Sequence, residues 1–104
     1  MKRCLLIVLT AVPFMAHVGK LGSDCTFNGK KLYGKVRVVN NFATFKVRVT
    51  NAFPDLKVEK VTAFPDRCGR WEFGNSFEDF SVQFVDAFED FSIEYVTAFP
   101  RVSP

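Results

Sequence analysis

Histidine is almost absent from this chain of 104 residues, and cysteine, glycine and tryptophan are scarce. The single histidine, His17, lies near the N terminus, so the rest of the chain has no partner for a serine or cysteine nucleophile. The six glycines match no phosphate-binding loop. The cysteine and histidine spacing supports no zinc site. We therefore expect no enzyme activity, no cofactor and no bound metal.

Long apolar runs are also missing, since the longest covers only residues 4–16 and is too short to span a bilayer as a helix. It follows Lys2 and Arg3, and this combination is typical of a secretory signal peptide. We predict a signal peptide over residues 1–24, cleaved between 16 and 24, and a single domain over 25–104. A buried N-terminal helix is the alternative, but Pro13 would interrupt it. The mature protein is expected to be secreted or periplasmic, with no membrane span.

After removal of a signal peptide, two cysteines remain, Cys25 and Cys68. An even pair in an oxidising compartment favours a disulfide. The alternative for Cys25 is a lipid anchor, but Asp24 stands where a small residue would be expected.

The remaining chain is dominated by six copies of an eleven-residue unit. They cover residues 35–45, 46–56, 57–69, 70–80, 81–91 and 92–102, and the third copy is two residues longer. A fixed short period indicates one small structural unit, with each copy burying its apolar face against others.

Apolar and polar residues alternate where one repeat joins the next. Phe45, Val47 and Val49 are apolar, whereas Lys46 and Arg48 between them are charged. Period two predicts half-buried strands, so the fold class is all-β with six to seven short strands. Because connections of four or five residues suit antiparallel neighbours, we expect an antiparallel meander forming a small barrel or a two-sheet sandwich. A β-solenoid is the alternative.

The third repeat departs from the pattern. Lys60 replaces an apolar residue, which is typical of a protected edge strand, and Cys68-Gly69 is inserted before Trp71. We interpret this region as a seam where the chain changes direction. Residues 25–34 are expected to add a seventh strand with a turn at Asn28-Gly29, and the disulfide would tie that strand to the seam.

One phenylalanine recurs after every predicted strand, beside the turn. The first interpretation is that these rings fold over the barrel end as a plug. The second is an exposed ladder of rings that binds a partner. The residues concerned are Phe42, Phe53, Phe64, Phe77, Phe88 and Phe99.

Paired carboxylates occur at two turns, Glu78-Asp79 and Glu89-Asp90, with Asp86 between them. Such acids could hold Ca²⁺ or act as an acid–base pair in a hydrolase. Adjacent residues of an extended turn point apart, so solvated turn residues are the preferred interpretation.

Charge is unevenly distributed along the chain, with basic residues before position 57 and acidic residues after it. This layout predicts a folded unit with a basic end and an acidic end. A modest basic stripe is expected from Lys35, Arg37, Lys46 and Arg48. The acidic second half and the predicted export argue against nucleic-acid binding.

Residues 27–104 resemble a group of small exported bacterial proteins built from tandem eleven-residue units ending in Phe-Pro-Asp. The segments that carry the likeness are FNGKKLYGKV (27–36), NAFPDLKV (51–58), TAFPD (62–66) and CGRWEF (68–73). The resemblance implies neither an activity nor functional residues. We expect a non-enzymatic exported interaction or cell-envelope module that binds a protein or glycan. The alternative is a small secreted calcium-binding or hydrolytic protein that uses the acidic turns.

Overall fold

The computed structural model describes residues 20–103, which contain nine strands and no helix. The predicted signal peptide, up to position 19, lies outside these residues. The strands are β1 (Thr26–Phe27), β2 (Lys30–Lys31), β3 (Gly34–Val38), β4 (Phe45–Val49), β5 (Leu56–Lys60), β6 (Arg70–Phe73), β7 (Phe80–Phe84), β8 (Phe91–Tyr95) and β9 (Arg101–Val102). The all-β prediction is confirmed, and each repeat supplies one strand of four or five residues at its join with the previous repeat.

Six strands close into a barrel in the order β6-β3-β7-β4-β8-β5, and a β5–β6 pairing completes the ring. All six run parallel, and within this larger sheet the one antiparallel pairing is that of β9 with β5. The predicted antiparallel meander is therefore wrong. The solenoid alternative is also wrong, because strands of the first three repeats alternate with strands of the last three. Most neighbours are consequently 37 or 44 residues apart rather than eleven.

Short connections allow parallel strands here because the chain never returns to the start of the previous strand. Val38 at the end of β3 and Phe45 at the start of β4 both pair with Val82 of β7. Apart from β6, which lies directly beside β5, each new barrel strand thus begins level with the end of the last one and is separated from it by a strand from the other half of the chain. The inner face of that strand is filled by the core, so the connection crosses its outer face. A short connection is long enough for this crossing, although it would be too short for a return crossover.

Five connections cross a strand in this way, and we call them bridges. They are 39–44 over β7, 50–55 over β8, 74–79 over β3, 85–90 over β4 and 96–100 over β5. The bridges over β3 and β4 belong to the second half of the chain, and those over β7 and β8 belong to the first. The two halves are therefore wound around each other.

The core is built from two repeat positions whose side chains point into the barrel. Position 2 supplies a layer that is fully buried, and position 11 supplies a layer of large side chains beside it. Their rings pack edge to face along the barrel, with centroids 5.4 Å apart for Trp71–Phe80 and for Phe45–Phe80, and 5.5 Å apart for Phe45–Phe91. The buried members are Val36, Val47, Val58, Trp71, Val82 and Ile93 at position 2, and Phe45, Leu56, Phe80 and Phe91 at position 11.

The segment before β3 covers one end of this core. The predicted turn at Asn28-Gly29 is confirmed, and both residues have positive φ, as a two-residue hairpin requires. The hairpin forms its own two-stranded sheet, so the expectation of a seventh barrel strand from residues 25–34 is wrong, apart from the entry into β3. Phe27 packs on Phe45 and Phe91, and the Trp71 Nε1–H donates to the Leu32 carbonyl at 3.0 Å.

The predicted seam does not reverse the chain, because β5 and β6 are parallel neighbours. Lys60 does not guard an edge either. It pairs with Trp71 across the closure of the barrel, and its ammonium lies 4.4 Å from the centroid of the Tyr95 ring. Within residues 20–103, no helix has the length and hydropathy needed to cross a membrane.

Candidate functional site

The recurring phenylalanines are the most exposed large apolar side chains of the described residues. The exposed fraction is 75% for Phe64 and reaches 99% for Phe53. The plug interpretation is therefore wrong, and the rings stand on the outside of the barrel. We call the set of Phe42, Phe53, Phe64, Phe77, Phe88 and Phe99 the phenylalanine girdle.

The rings point outward because of a backbone feature shared by all six residues. Each girdle residue has a φ between 52° and 61°, which is the left-handed region. For a bulky residue this conformation costs about 1–2 kcal/mol relative to the usual regions. Glycine or asparagine would adopt it at lower cost. The barrel thus holds six phenylalanines whose backbone is in an unfavourable conformation and whose rings are in contact with water.

Topology sets the order of the girdle around the barrel. Phe77 lies on the bridge over β3, Phe42 on that over β7, Phe88 over β4, Phe53 over β8 and Phe99 over β5. Neighbouring rings thus come alternately from the two halves of the chain. Phe64 lies on the longer connection 61–69. The aromatic contacts within residues 20–103 join core and hairpin rings, so the girdle rings do not pack on one another.

Four of the five bridges, all but 96–100, are anchored at their far ends by the residue at position 10. The Asp79 N–H donates to the Lys35 carbonyl at 2.7 Å, and the Lys35 N–H donates to Asp79 Oδ2 at 2.8 Å. Gly34 leaves room for this carboxylate, since a Cβ there would collide with it. We call such a reciprocal pair a clamp. Similar clamps join Asp90 to Lys46, Asp55 to Ser92 and, through hydroxyls, Thr44 to Ser81.

The acidic turns serve this anchoring. Asp79 and Asp90 accept backbone amides, whereas Glu78 and Glu89 approach arginines of the crossed strands. Arg48 Nε lies 3.0 Å from Glu89 Oε2. The Glu89 backbone amide and the Arg48 guanidinium hold the pKa of Glu89 below its usual value. Within residues 20–103, no group of three or more histidine, cysteine, aspartate or glutamate side chains is arranged to hold a metal ion.

The expected separation into a basic end and an acidic end is wrong, because the two halves interleave. The basic strands β3 and β4 are separated by β7, and acidic bridges cross both of them. Arg37 Nη1 lies 3.9 Å from Glu78 Oε2, and Arg48 pairs with Glu89. The basic stripe predicted from Lys35, Arg37, Lys46 and Arg48 is therefore interrupted and partly neutralised.

The disulfide between Cys25 and Cys68 is confirmed. Cys25 is buried beside the hairpin, and Cys68 lies on connection 61–69. The disulfide therefore fastens the hairpin to the insertion in the third repeat, as the sequence predicted for these two regions.

A path in which every bridge passes over a strand of the other half is that of a knotted chain, and comparison with known families agrees. The model of the 7(1) septoil knot domain matches residues 29–103. The chain belongs to the septoil knot domain family. The match begins inside the hairpin turn and includes all six repeats. No curated protein gave a significant match.

Membership of the septoil knot family accounts for the interleaving that the sequence did not predict. True knots are very rare among protein folds, so a short repeat is ordinarily taken to stack on its own neighbour. The signal that could have been used is charge, since basic repeats one and two face acidic repeats four and five. The exposure of the girdle had no comparable signal in the sequence.

Proposed function

We propose that this septoil knot domain is a non-enzymatic interaction module that works outside the cytoplasm and binds a protein or glycan through the phenylalanine girdle. The observation that carries the proposal is the combination found at all six girdle positions, a bulky apolar ring that is exposed and stands on left-handed backbone. Neither the core nor the clamps use these rings. The presence of an exposed ring at all six positions is best explained by contacts with a partner.

Exposed rings on firmly anchored turns suit binding. Each bridge is held by a backbone bond at its start, as in Val85 N–H to the Val47 carbonyl, and four of the five are also held by a clamp at the end, as in Asp90 to Lys46. A rigid aromatic anchor loses little conformational entropy when it binds, and aromatic rings dominate the energetics of interfaces. Because the girdle encircles the barrel, several rings can engage one extended or multivalent partner.

Two features support the extracytoplasmic part of the proposal. The first is the Cys25–Cys68 disulfide, which is typical of oxidising compartments. The second is the predicted signal peptide, whose apolar run lies outside the described residues. Leu21 is buried in the core, so we propose that cleavage occurs before Leu21 rather than between 21 and 24. Sequencing the N terminus of the mature protein tests this, and a mature chain that begins at Cys25 would contradict it.

The alternative use of the acidic turns as a calcium or hydrolytic site gains no support from the geometry. Asp79 and Asp90 already accept amide hydrogen bonds from the chain itself. An activity that required these carboxylates would be lost in Glu89→Gln and Asp90→Asn. The girdle proposal expects both variants to keep binding.

The test compares capture by three forms of the mature, disulfide-bonded protein. The wild type is immobilised beside a Phe42/Phe53/Phe88→Asn variant, which removes three neighbouring rings, and beside Glu89→Gln. Each is exposed to envelope extract of the producing cell and to an array of glycans. We expect a ligand that the wild type and Glu89→Gln bind and the triple variant does not. Equal binding by the triple variant and the wild type would overturn the proposal.

A further inference from the structure

One groove on the barrel is lined by residues that break the repeat pattern. Position 10 is Asp or Thr in the first five repeats but arginine in the sixth, Arg101. Position 11 is apolar in five repeats but arginine in the third, Arg67. The two residues lie 34 positions apart in sequence and line the same groove together with Arg70. The departures therefore converge in space.

The groove lies where two connections, 61–69 and 96–100, approach each other closely. Gly69 has a φ of +81°, and a Cβ on it would lie 2.5 Å from the Lys57 carbonyl oxygen and 2.7 Å from the Pro100 Cβ. Any other residue would push the connections apart. The adjacent Cys68 is fixed by the disulfide. The resulting groove has a volume of about 460 Å³, which is within the range of small-ligand sites.

Positive charge in the groove is only partly balanced. Glu59 also lines the groove, and its Oε1 lies 3.6 Å from Arg70 Nε, while Arg70 Nη1 lies 3.8 Å from Asp66 Oδ1. Arg70 Nε is buried and makes no hydrogen bond within residues 20–103. Arg101 donates one bond to the Phe99 carbonyl at 2.9 Å, and its other N–H groups have no hydrogen-bond acceptor among residues 20–103. Arg67 has no carboxylate within 4.0 Å among the described residues.

A girdle ring completes the groove. Phe99 is 80% exposed and lines it together with Pro100. The groove thus offers guanidinium donors beside a flat apolar surface. Guanidinium groups bind carboxylates in a two-pronged geometry, and the faces of sugar rings, which carry C–H groups, pack on flat apolar surfaces.

We propose that this groove binds a carboxylated sugar unit of an acidic glycan, with the carboxylate on Arg67 and Arg101 and the sugar face on Phe99. This assignment rests on the proposed function, because it names the partner that the girdle engages at one of its six rings. The groove holds the acidic unit, and the other rings contact the rest of the chain.

The test is calorimetric titration of the mature, disulfide-bonded protein with a tetramer of galacturonate. The fully methyl-esterified tetramer is the matched probe without charge, and inorganic phosphate is the probe for a simple anion. We expect the acidic tetramer to bind and the ester not to bind. The Arg67→Gln/Arg101→Gln variant should weaken binding about tenfold or more, because charged hydrogen bonds are lost. Arg37→Gln, a charge change outside the groove, should leave binding unchanged.

Other results would overturn the assignment. Binding of the ester as tight as that of the acid would exclude a carboxylate site, as would full affinity in the Arg67/Arg101 variant. Phosphate that binds as tightly as the tetramer would show a site for free anions and not for a glycan. The Phe42/Phe53/Phe88→Asn variant separates the two proposals, because those rings lie outside the groove. If the groove fails while girdle capture persists, only the glycan assignment is lost.

Discussion

Lys46 and Asp90 hold each other through two reciprocal hydrogen bonds across the two halves of the chain. The Lys46 N–H donates to Asp90 Oδ2 at 2.7 Å, and the Asp90 N–H donates to the Lys46 carbonyl at 2.7 Å. The two residues are 44 positions apart, so the clamp fixes the end of a bridge to the strand that the bridge crosses. Clamps of this kind set which repeat lies beside which.

Removing the Asp90 carboxylate should therefore destabilise the fold. Asp90→Ala leaves the Lys46 N–H without its partner, and we expect a loss of about 1–2 kcal/mol in the free energy of unfolding, because this clamp is partly open to water. Asp86→Ala is the control, since Asp86 is exposed in the same bridge and makes no hydrogen bond through its side chain within residues 20–103. Urea unfolding of both variants measures the difference, and equal stabilities would contradict the role of the clamp.

Phe80 and Phe88 offer the sharpest comparison of a core ring with a girdle ring. Phe80 is 2% exposed and packs on Trp71 and Phe45, whereas Phe88 is 95% exposed. Phe80→Ala should cost about 3–5 kcal/mol of stability. Phe88→Asn should keep the wild-type stability or raise it, because asparagine tolerates left-handed backbone better. Thermal melts test both, and a large loss in Phe88→Asn would show that the girdle rings stabilise the fold.

The strands could be predicted from the sequence, because one alternation such as Phe45, Val47 and Val49 is enough to place a half-buried strand. The alternation alone does not predict which strands are neighbours. The pattern is nearly the same in every copy, so it does not say whether β4 lies beside β3 or beside β7. That choice depends on particular pairs such as Arg48–Glu89, which only the folded chain brings together.

The first interpretation of the girdle residues, as a plug over the barrel end, was wrong for a related reason, whereas the second, an exposed set of rings, agrees with their observed exposure. Phe53 has the same parity as Val47 and Val49, so an alternation continued through the connection would turn its ring inward. The left-handed backbone at Phe53 breaks the alternation and turns the ring to water instead. Nothing in the local residue types demands this conformation of phenylalanine.

The Cys25–Cys68 disulfide should contribute strongly to stability. It closes a loop with a sequence separation of 43, and in the chain-entropy model this gives about 4 kcal/mol. For a domain of this size the melting temperature of Cys25→Ser/Cys68→Ser should fall by roughly 15–30 °C. Differential scanning calorimetry measures the shift. A double variant with the melting temperature of the wild type would show that the hairpin is held in place without the disulfide.

Stability should depend on pH through the Arg48–Glu89 pair. The pKa of Glu89 is lowered in the folded state by its backbone amide and by Arg48, from an ordinary value of 4.5. A carboxyl whose folded pKa is depressed adds stability above its unfolded pKa, and this stability is lost as the pH falls through the folded value. We therefore expect Glu89→Gln to be less stable than the wild type at pH 7, and this difference in stability should narrow steadily below about pH 4.5.

The control is Asp86→Asn, which removes the same charge without a partner and should show no such difference. Urea midpoints of the three proteins between pH 7 and pH 3 provide the measurement. A gap between Glu89→Gln and the wild type that stays constant to pH 3 would mean that ionisation of Glu89 does not stabilise the bridge over β4.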